Sequence, residues 1–185
     1  GENGAGKSTL ADGIVTLLVA TNKRNYNAAS GEAKRERSET DYIRGNLGNL
    51  YNEVKERDEP VFLRADGQYY TVLLAVFRNR REDKAVSLAQ VLWVKSNGET
   101  AKVFIVEQRA MTIVGDLAGF ANTGTIRDTL KERKLECYDN FKSYSERFHR
   151  LLKLNADRNP MGIFNQTIAV KDIKNLTEFI RSYML

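Results

Sequence analysis

Nine residues at the start of the chain, Gly1-Glu2-Asn3-Gly4-Ala5-Gly6-Lys7-Ser8-Thr9, fit G-x-x-x-x-G-K-[ST], the P-loop or Walker A pattern. The chemistry open to such a stretch is the gripping of a nucleotide's phosphate chain. Backbone N–H groups along Gly1, Asn3, Gly4, Ala5 and Gly6 are expected to turn toward the anion. The glycines matter because a Cβ would block the tight path and the close approach to phosphate. Lys7 should reach the β- and γ-phosphate oxygens, Ser8 should take one coordination position on Mg²⁺, and Thr9 should touch the α-phosphate. A chance glycine-rich turn is the bland alternative. Average residue frequencies produce one in roughly a hundred chains of this length, so ATP binding is the preferred reading.

A phosphate loop needs a helix behind it, aiming its positive dipole end at the same anion. Leu10, Ile14, Leu17 and Leu18 fall at i, i+4, i+7 and i+8, which predicts one apolar stripe directly after the loop. A P-loop also follows a buried strand, whereas here the motif begins at residue 1. The sequence therefore reads as a partial domain, 1–185, starting inside a larger unit.

Composition bounds the rest. A chain of 185 residues with 42% hydrophobic content suits a globular domain with a core. No apolar run approaches the roughly 18 residues of a membrane span, and no secretory signal opens the chain. One cysteine, Cys137, excludes an internal disulfide framework and suits a reducing cytoplasm. With a single histidine besides, a structural zinc site is not expected, and His149 reads as an ordinary helix residue. The net charge of +5 is compatible with a polyanionic partner, although basic residues also serve the nucleotide itself.

Residues 21–27 read as a polar loop, and 30–45 as a charged loop or exposed helix. Within the latter, Arg37 and Arg44 are candidates for phosphate contact, because guanidinium offers a fixed fork of donors. From Val61 the pattern turns to strands: Val61–Leu63, Tyr69–Phe77, Val86–Val94 and Lys102–Val106, the last two joined by an Asn97-Gly98 turn. Short connections make the last three an antiparallel meander rather than βαβ units. Residues 78–84 form a charged connection. Thr125 with Asp128 suggests a capping box for a helix through Lys134, and Phe141, Tyr144, Phe148, Leu151 and Leu152 mark the stripe of another. These aromatics read as core rather than as a base-stacking platform. Asn159-Pro160-Met161-Gly162 reads as a turn, and 171–184 as a final amphipathic helix.

Gln166 lies far along the chain between Phe164 and Ile168. It is either a solvent-facing strand residue or a ligand for Mg²⁺ and the attacking water. Its amide carbonyl can bind a hard cation without adding charge, while its NH₂ orients water.

The Walker A stretch, an antiparallel subdomain and a late glutamine entering a helix together resemble the N-terminal half of an ABC-type ATPase head of the SMC and recombination-repair class. Residues 1–9, 41–45, 164–171 and 175–181 are most similar to the JetC/MksB family, the SMC-like subunits of Wadjet anti-plasmid systems and related condensins. The resemblance implies an α/β P-loop fold with a mixed sheet, an antiparallel β subdomain and flanking helices. It implies ATP and Mg²⁺ as cofactors, with Gln166 in the Q-loop role beside Lys7 and Ser8. A coiled coil would begin just beyond Leu185, and a returning half would bring the signature motif and Walker B acids, neither of which occurs here. Partners would be DNA, a second copy of the head, and kleisin-type and accessory subunits, with no membrane. A small-molecule kinase and a non-catalytic nucleotide-binding scaffold stand as alternatives; the meander argues against the first and the intact Lys7-Ser8 pair against the second.

Overall fold

The computed structural model describes residues 7–20, 39–53, 55–64, 69–154 and 160–169. Helices α1 (Lys7–Leu18) and α2 (Glu39–Arg44) come first, then strands β1 (Asn46–Asn52), β2 (Arg57–Phe62), β3 (Tyr70–Asn79), β4 (Lys84–Val94) and β5 (Thr100–Glu107). Helix α3 (Ile126–Glu132), the two-residue strand β6 (Cys137–Tyr138) and helices α4 (Phe141–Leu151) and α5 (Pro160–Ala169) follow.

The expected meander is present and gains a fourth strand, in the order β3-β4-β5-β6. Its register runs from Tyr70↔Trp93 to Asn79↔Lys84 and from Ser87↔Glu107 to Val94↔Thr100. At the Asn97-Gly98 turn, Gly98 adopts φ 83°, the left-handed conformation that glycine supplies without a steric cost. Every strand pair among the described residues is antiparallel, so the parallel strands of a mixed sheet are not among them.

Alternation along β4 and β5 supplies two apolar faces, which is why β4 is buried almost throughout. Leu88, Phe104 and Val106 face one core with Val15, Leu17, Leu18 and Val19 of α1, Tyr144 and Phe148 of α4, and Phe164 of α5. Ala89, Val91, Trp93, Val103 and Ile105 face the other, with Ile126 and Leu130 of α3 and Met111, Leu117 and Phe120 from the connection before it. The aromatics of α4 are core as expected: Tyr144 and Phe148 are fully buried, their rings 5.1 Å apart and edge-on.

Several local expectations need correction. Leu10 is 68% exposed, so the apolar side of α1 is confined to its later turns, where the helix meets the sheet. The short Val61–Leu63 run falls at the end of β2, which starts earlier, at Arg57, and ends at Phe62, leaving Leu63 outside the β1–β2 hairpin. Its first strand escapes propensity reasoning because Asn46, Gly48 and Asn49 are poor strand formers, held here by pairing with Phe62, Val61 and Pro60. The capping box is headed by Asn122, not Thr125. The Asn122 side chain accepts from the N–H of Gly124 and Thr125, while Thr125 Oγ1 accepts from the Asn122 N–H, across a short 3₁₀ turn that leads into α3. That helix stops at Glu132, and Lys134 leaves it in the left-handed conformation at φ 58°. Pro160 opens α5 rather than centring a turn, since its fixed φ suits the first helical position and its missing N–H costs nothing there. The loop expected at 21–27 and the helix expected at 171–184 lie outside the described residues.

The connection after β5 is pinned by polar contacts at both ends. Fully buried Ser87 donates to the Arg109 carbonyl at 2.6 Å and accepts from the Met111 N–H at 2.9 Å. Over Ile113–Leu117 the backbone makes a π-helical turn, within which Asp116 binds Arg109 at 2.6 Å and the Thr112 N–H at 2.8 Å. The Arg109 guanidinium, and then the Thr112 amide, hold the Asp116 carboxyl below its ordinary 3.8 against an opposing push from burial. A carboxyl depressed on folding stabilises the fold above its unfolded value, and that stabilisation is lost as pH falls through the folded one. The thermal-stability gap between wild type and Asp116→Asn should therefore be widest at neutral pH and close as pH drops below about 3.8.

Gly45 ends α2 at φ 69°, its carbonyl accepting from the Leu63 N–H at 2.8 Å. A Cβ there would lie 3.1 Å from the Leu63 Cβ. Gly45→Ala should cost about 1–2 kcal/mol from the left-handed backbone alone, read as a lowered denaturant midpoint at unchanged slope.

Candidate nucleotide-binding site

Helix α1 begins at Lys7, directly behind the loop. Its first turn carries no acidic residue, so no carboxylate of that turn opposes an anion at the positive end of the dipole. That is what a triphosphate with its magnesium requires at this position. Gly1, Asn3, Gly4, Ala5, Gly6 and Arg37 lie outside the described residues, as do the side chains of Lys7, Ser8, Thr9 and Gln166. For the last four, the structure gives the backbone position: three in the first turn of α1, and Gln166 inside α5 rather than on a strand.

The opposite end of α1 is defined in detail. A helix leaves its last carbonyls without internal partners, and a buried end must find them elsewhere. The Val15 carbonyl accepts from the Val19 N–H at 2.9 Å. Fully buried Gln90, in the middle of β4, sends Nε2 to the Thr16 carbonyl at 2.7 Å and to Leu17 at 3.4 Å. Tyr144 of α4 donates its hydroxyl to the same Leu17 carbonyl at 3.1 Å. Within the helix, Thr16 Oγ1 donates to the Asp12 carbonyl at 2.7 Å. No basic residue lies in the last turn, so neutral buried donors meet the negative end of the dipole.

Helix α2 approaches α1 at one point, Tyr42 against Gly13. A Cβ on Gly13 would meet the Tyr42 hydroxyl at 2.8 Å and Leu73 of β3 at 3.5 Å, so this glycine permits a three-way approach of α1, α2 and the sheet. The structure places Arg44, a candidate for phosphate contact, at the end of α2 with its guanidinium 3.9 Å above the Phe62 ring. Lys102 of β5 anchors the start of α2 by holding both carboxylate oxygens of Glu39 at 2.7 Å. Helix α5 shares the core with α1 through Phe164, bringing the Gln166 backbone onto an element packed with the phosphate-loop helix.

Residues 1–33 match the family model of the P-loop containing region of the AAA domain. No curated protein matches the chain. The chain thus carries an N-terminal P-loop NTPase region in a mixed α/β fold with an antiparallel sheet, a region that binds nucleotide, generally with Mg²⁺.

The remaining reactive side chains take no part in this arrangement. His149 lies in α4, edge-on to Phe148 at 4.6 Å, and burial lowers its pKa. Burial, with Glu107 adding to it, pushes the Cys137 thiol up to about 11. Among the described residues no group of three metal-binding side chains occurs, and no helix is long and apolar enough to cross a membrane.

Sequence reasoning missed Gln90 and the polar role of Tyr144. The signal for the first was a lone amide in the otherwise apolar run Ala89–Val94, since a buried amide needs partners. Tyr144→Phe removes a donor from a buried carbonyl and should cost about 1–2 kcal/mol. That corresponds to about 2–4 °C per kcal/mol for a domain of this size. Gln90→Met removes the Nε2 bonds but also a buried Oε1 that has no partner, so its loss should be smaller. Melting curves of the two variants check this order.

Proposed function

We propose that this chain is the ATP-binding half of an SMC-like, DNA-acting ATPase head, related to the JetC/MksB family. The observation carrying the reading is the sharing of one core by α1, directly behind the Walker A loop, and α5, which bears Gln166. The match over residues 1–33 supports nucleotide binding independently. The antiparallel sheet supports the head reading over a small-molecule kinase, whose strands would alternate with helices.

In this reading the backbone amides of Gly1 through Gly6 cradle the phosphates, and the Lys7 ammonium offsets charge on the β- and γ-phosphate oxygens. Ser8 and Gln166 would hold Mg²⁺, Thr9 would contact the α-phosphate, and Arg37 and Arg44 are the arginines proposed for phosphate contact. Bound ATP supplies the transferable phosphoryl group, and Mg²⁺ neutralises its charge. The chain's own contribution is positioning plus electrostatic stabilisation. A second head copy completes the site, kleisin-type and accessory subunits bridge the heads, and head closure and opening move DNA in plasmid defence or chromosome organisation. Residues 1–185 act in this reading as one unit, working in the cytoplasm.

Lys7→Ala in the intact protein should abolish ATP-dependent head dimerisation, measured by light scattering with and without ATP. ATP-induced dimers undiminished in that variant would remove the reading.

A further inference from the structure

The β3–β4 hairpin carries a concentration of charge that neither core uses. Arg78, Arg80, Arg81 and Lys84 are all exposed, against two carboxylates, Glu82 and Asp83. Its tip is not a loose loop. Asn79 and Lys84 close the ladder as the last pair, and Asn79 Oδ1 accepts from the Arg81 N–H at 3.0 Å and the Glu82 N–H at 3.4 Å. Asp83 completes the turn at φ 49°, in the left-handed conformation that aspartate tolerates better than most residues.

The two carboxylates do not cancel the cations. Glu82 is engaged by Lys84 at 3.0 Å, and Lys153, from the turn after α4, adds to the field that holds its carboxyl below the ordinary value. Arg78, Arg80 and Arg81 have no ion pair among the described residues. Three guanidinium groups therefore project from a backbone fixed by its own side-chain bonds.

The chemistry of this tip selects among polyanions. No residue from Arg78 to Lys84 is apolar or aromatic. A protein partner would want a buried apolar or aromatic anchor, a membrane would want something to insert, and single-stranded nucleic acid would want stacking rings. Guanidinium forks alone suit phosphate oxygens on a duplex backbone, which position without reading sequence. We infer that the β3–β4 tip, through Arg78, Arg80 and Arg81, is a contact surface for the phosphate backbone of double-stranded DNA. The inference deepens the reading above and rests on it for the identity of the polyanion.

The test uses the intact protein, a fluorescent mixed-sequence duplex of about 30 base pairs, and titrations over a range of salt. The combined variant Arg78→Gln, Arg80→Gln, Arg81→Gln should bind the duplex about tenfold or more weakly, with a salt slope lower by about 0.9 for each phosphate no longer neutralised. Glu82→Gln, which removes negative charge from the same tip, should tighten binding, a gain that misfolding cannot imitate. Affinity and slope equal to wild type in the triple variant would overturn the inference. So would a triple variant that keeps duplex binding but loses affinity for polyglutamate, the mark of an acidic protein partner. Wild-type protein that binds a fluorescent ATP analogue but no duplex overturns this surface and leaves the ATPase reading standing. Arginine-dependent duplex binding by a protein that binds no nucleotide would support the surface and overturn the ATPase.

Discussion

The carbonyl end of α1 is the point on which the remainder of the fold turns. Two hydrogen bonds from a buried amide and a buried phenol end the helix inside an apolar layer, where an unmet carbonyl would be costly. The amide comes from the middle of the sheet and the phenol from α4, so the three elements meet at one polar point. Apolar packing around it is tolerant of small shifts, whereas hydrogen bonds in a low-dielectric interior are specific in distance and direction. Gln90 and Tyr144 therefore fix how far α1 slides along the sheet, and with it where the first turn of α1 presents its amides.

The same geometry explains what was legible in the amino-acid sequence. The Walker A stretch, the meander with its Asn97-Gly98 turn and the aromatic stripe of α4 were readable because each rests on local spacing or on a side-chain type with one strong preference. The β1 strand was not, because Asn46, Gly48 and Asn49 adopt a strand only through a partner that local propensity does not contain. Nor was the exposure of Leu10: a stripe counted from that residue assumes a helix covered along its whole length. The box headed by Asn122 was misplaced by three residues because asparagine and threonine both cap helices, and the intervening 3₁₀ turn lets either be first. Of the candidate site, the residue types came from the motif, but the donors that hold its helix, Gln90 and Tyr144, lie far from it along the chain. Only the fold brings them there.

Charge is distributed by a similar logic. With both faces of the sheet covered, ionic side chains are left to strand ends, turns and the exposed sides of helices. Some are consumed in local pairs, such as Arg109 with Asp116, Arg147 with Glu136, and Lys55 with Glu59. In the β1–β2 hairpin one carboxylate takes both nearby cations: Lys55, then Asn52 and Arg57, hold the Glu59 carboxyl down to about 2. In the β3–β4 hairpin Lys84 pairs with Glu82, while Arg78, Arg80 and Arg81 have no ion pair among the described residues. An excess of positive charge spread over the whole composition thus becomes local.

Cys137 gives the molecule one more property. Its sulfur sits on the short edge strand between the α3 connection and α4, half-covered, with a thiol that ionises only near pH 11. At neutral pH almost none of it is thiolate, the form that attacks maleimides and disulfides. A spectroscopic label directed at a newly introduced surface cysteine would leave the native one untouched. Pairs of such labels on α1 and α5 would then report angstrom-scale motion of the phosphate loop in an otherwise unaltered protein.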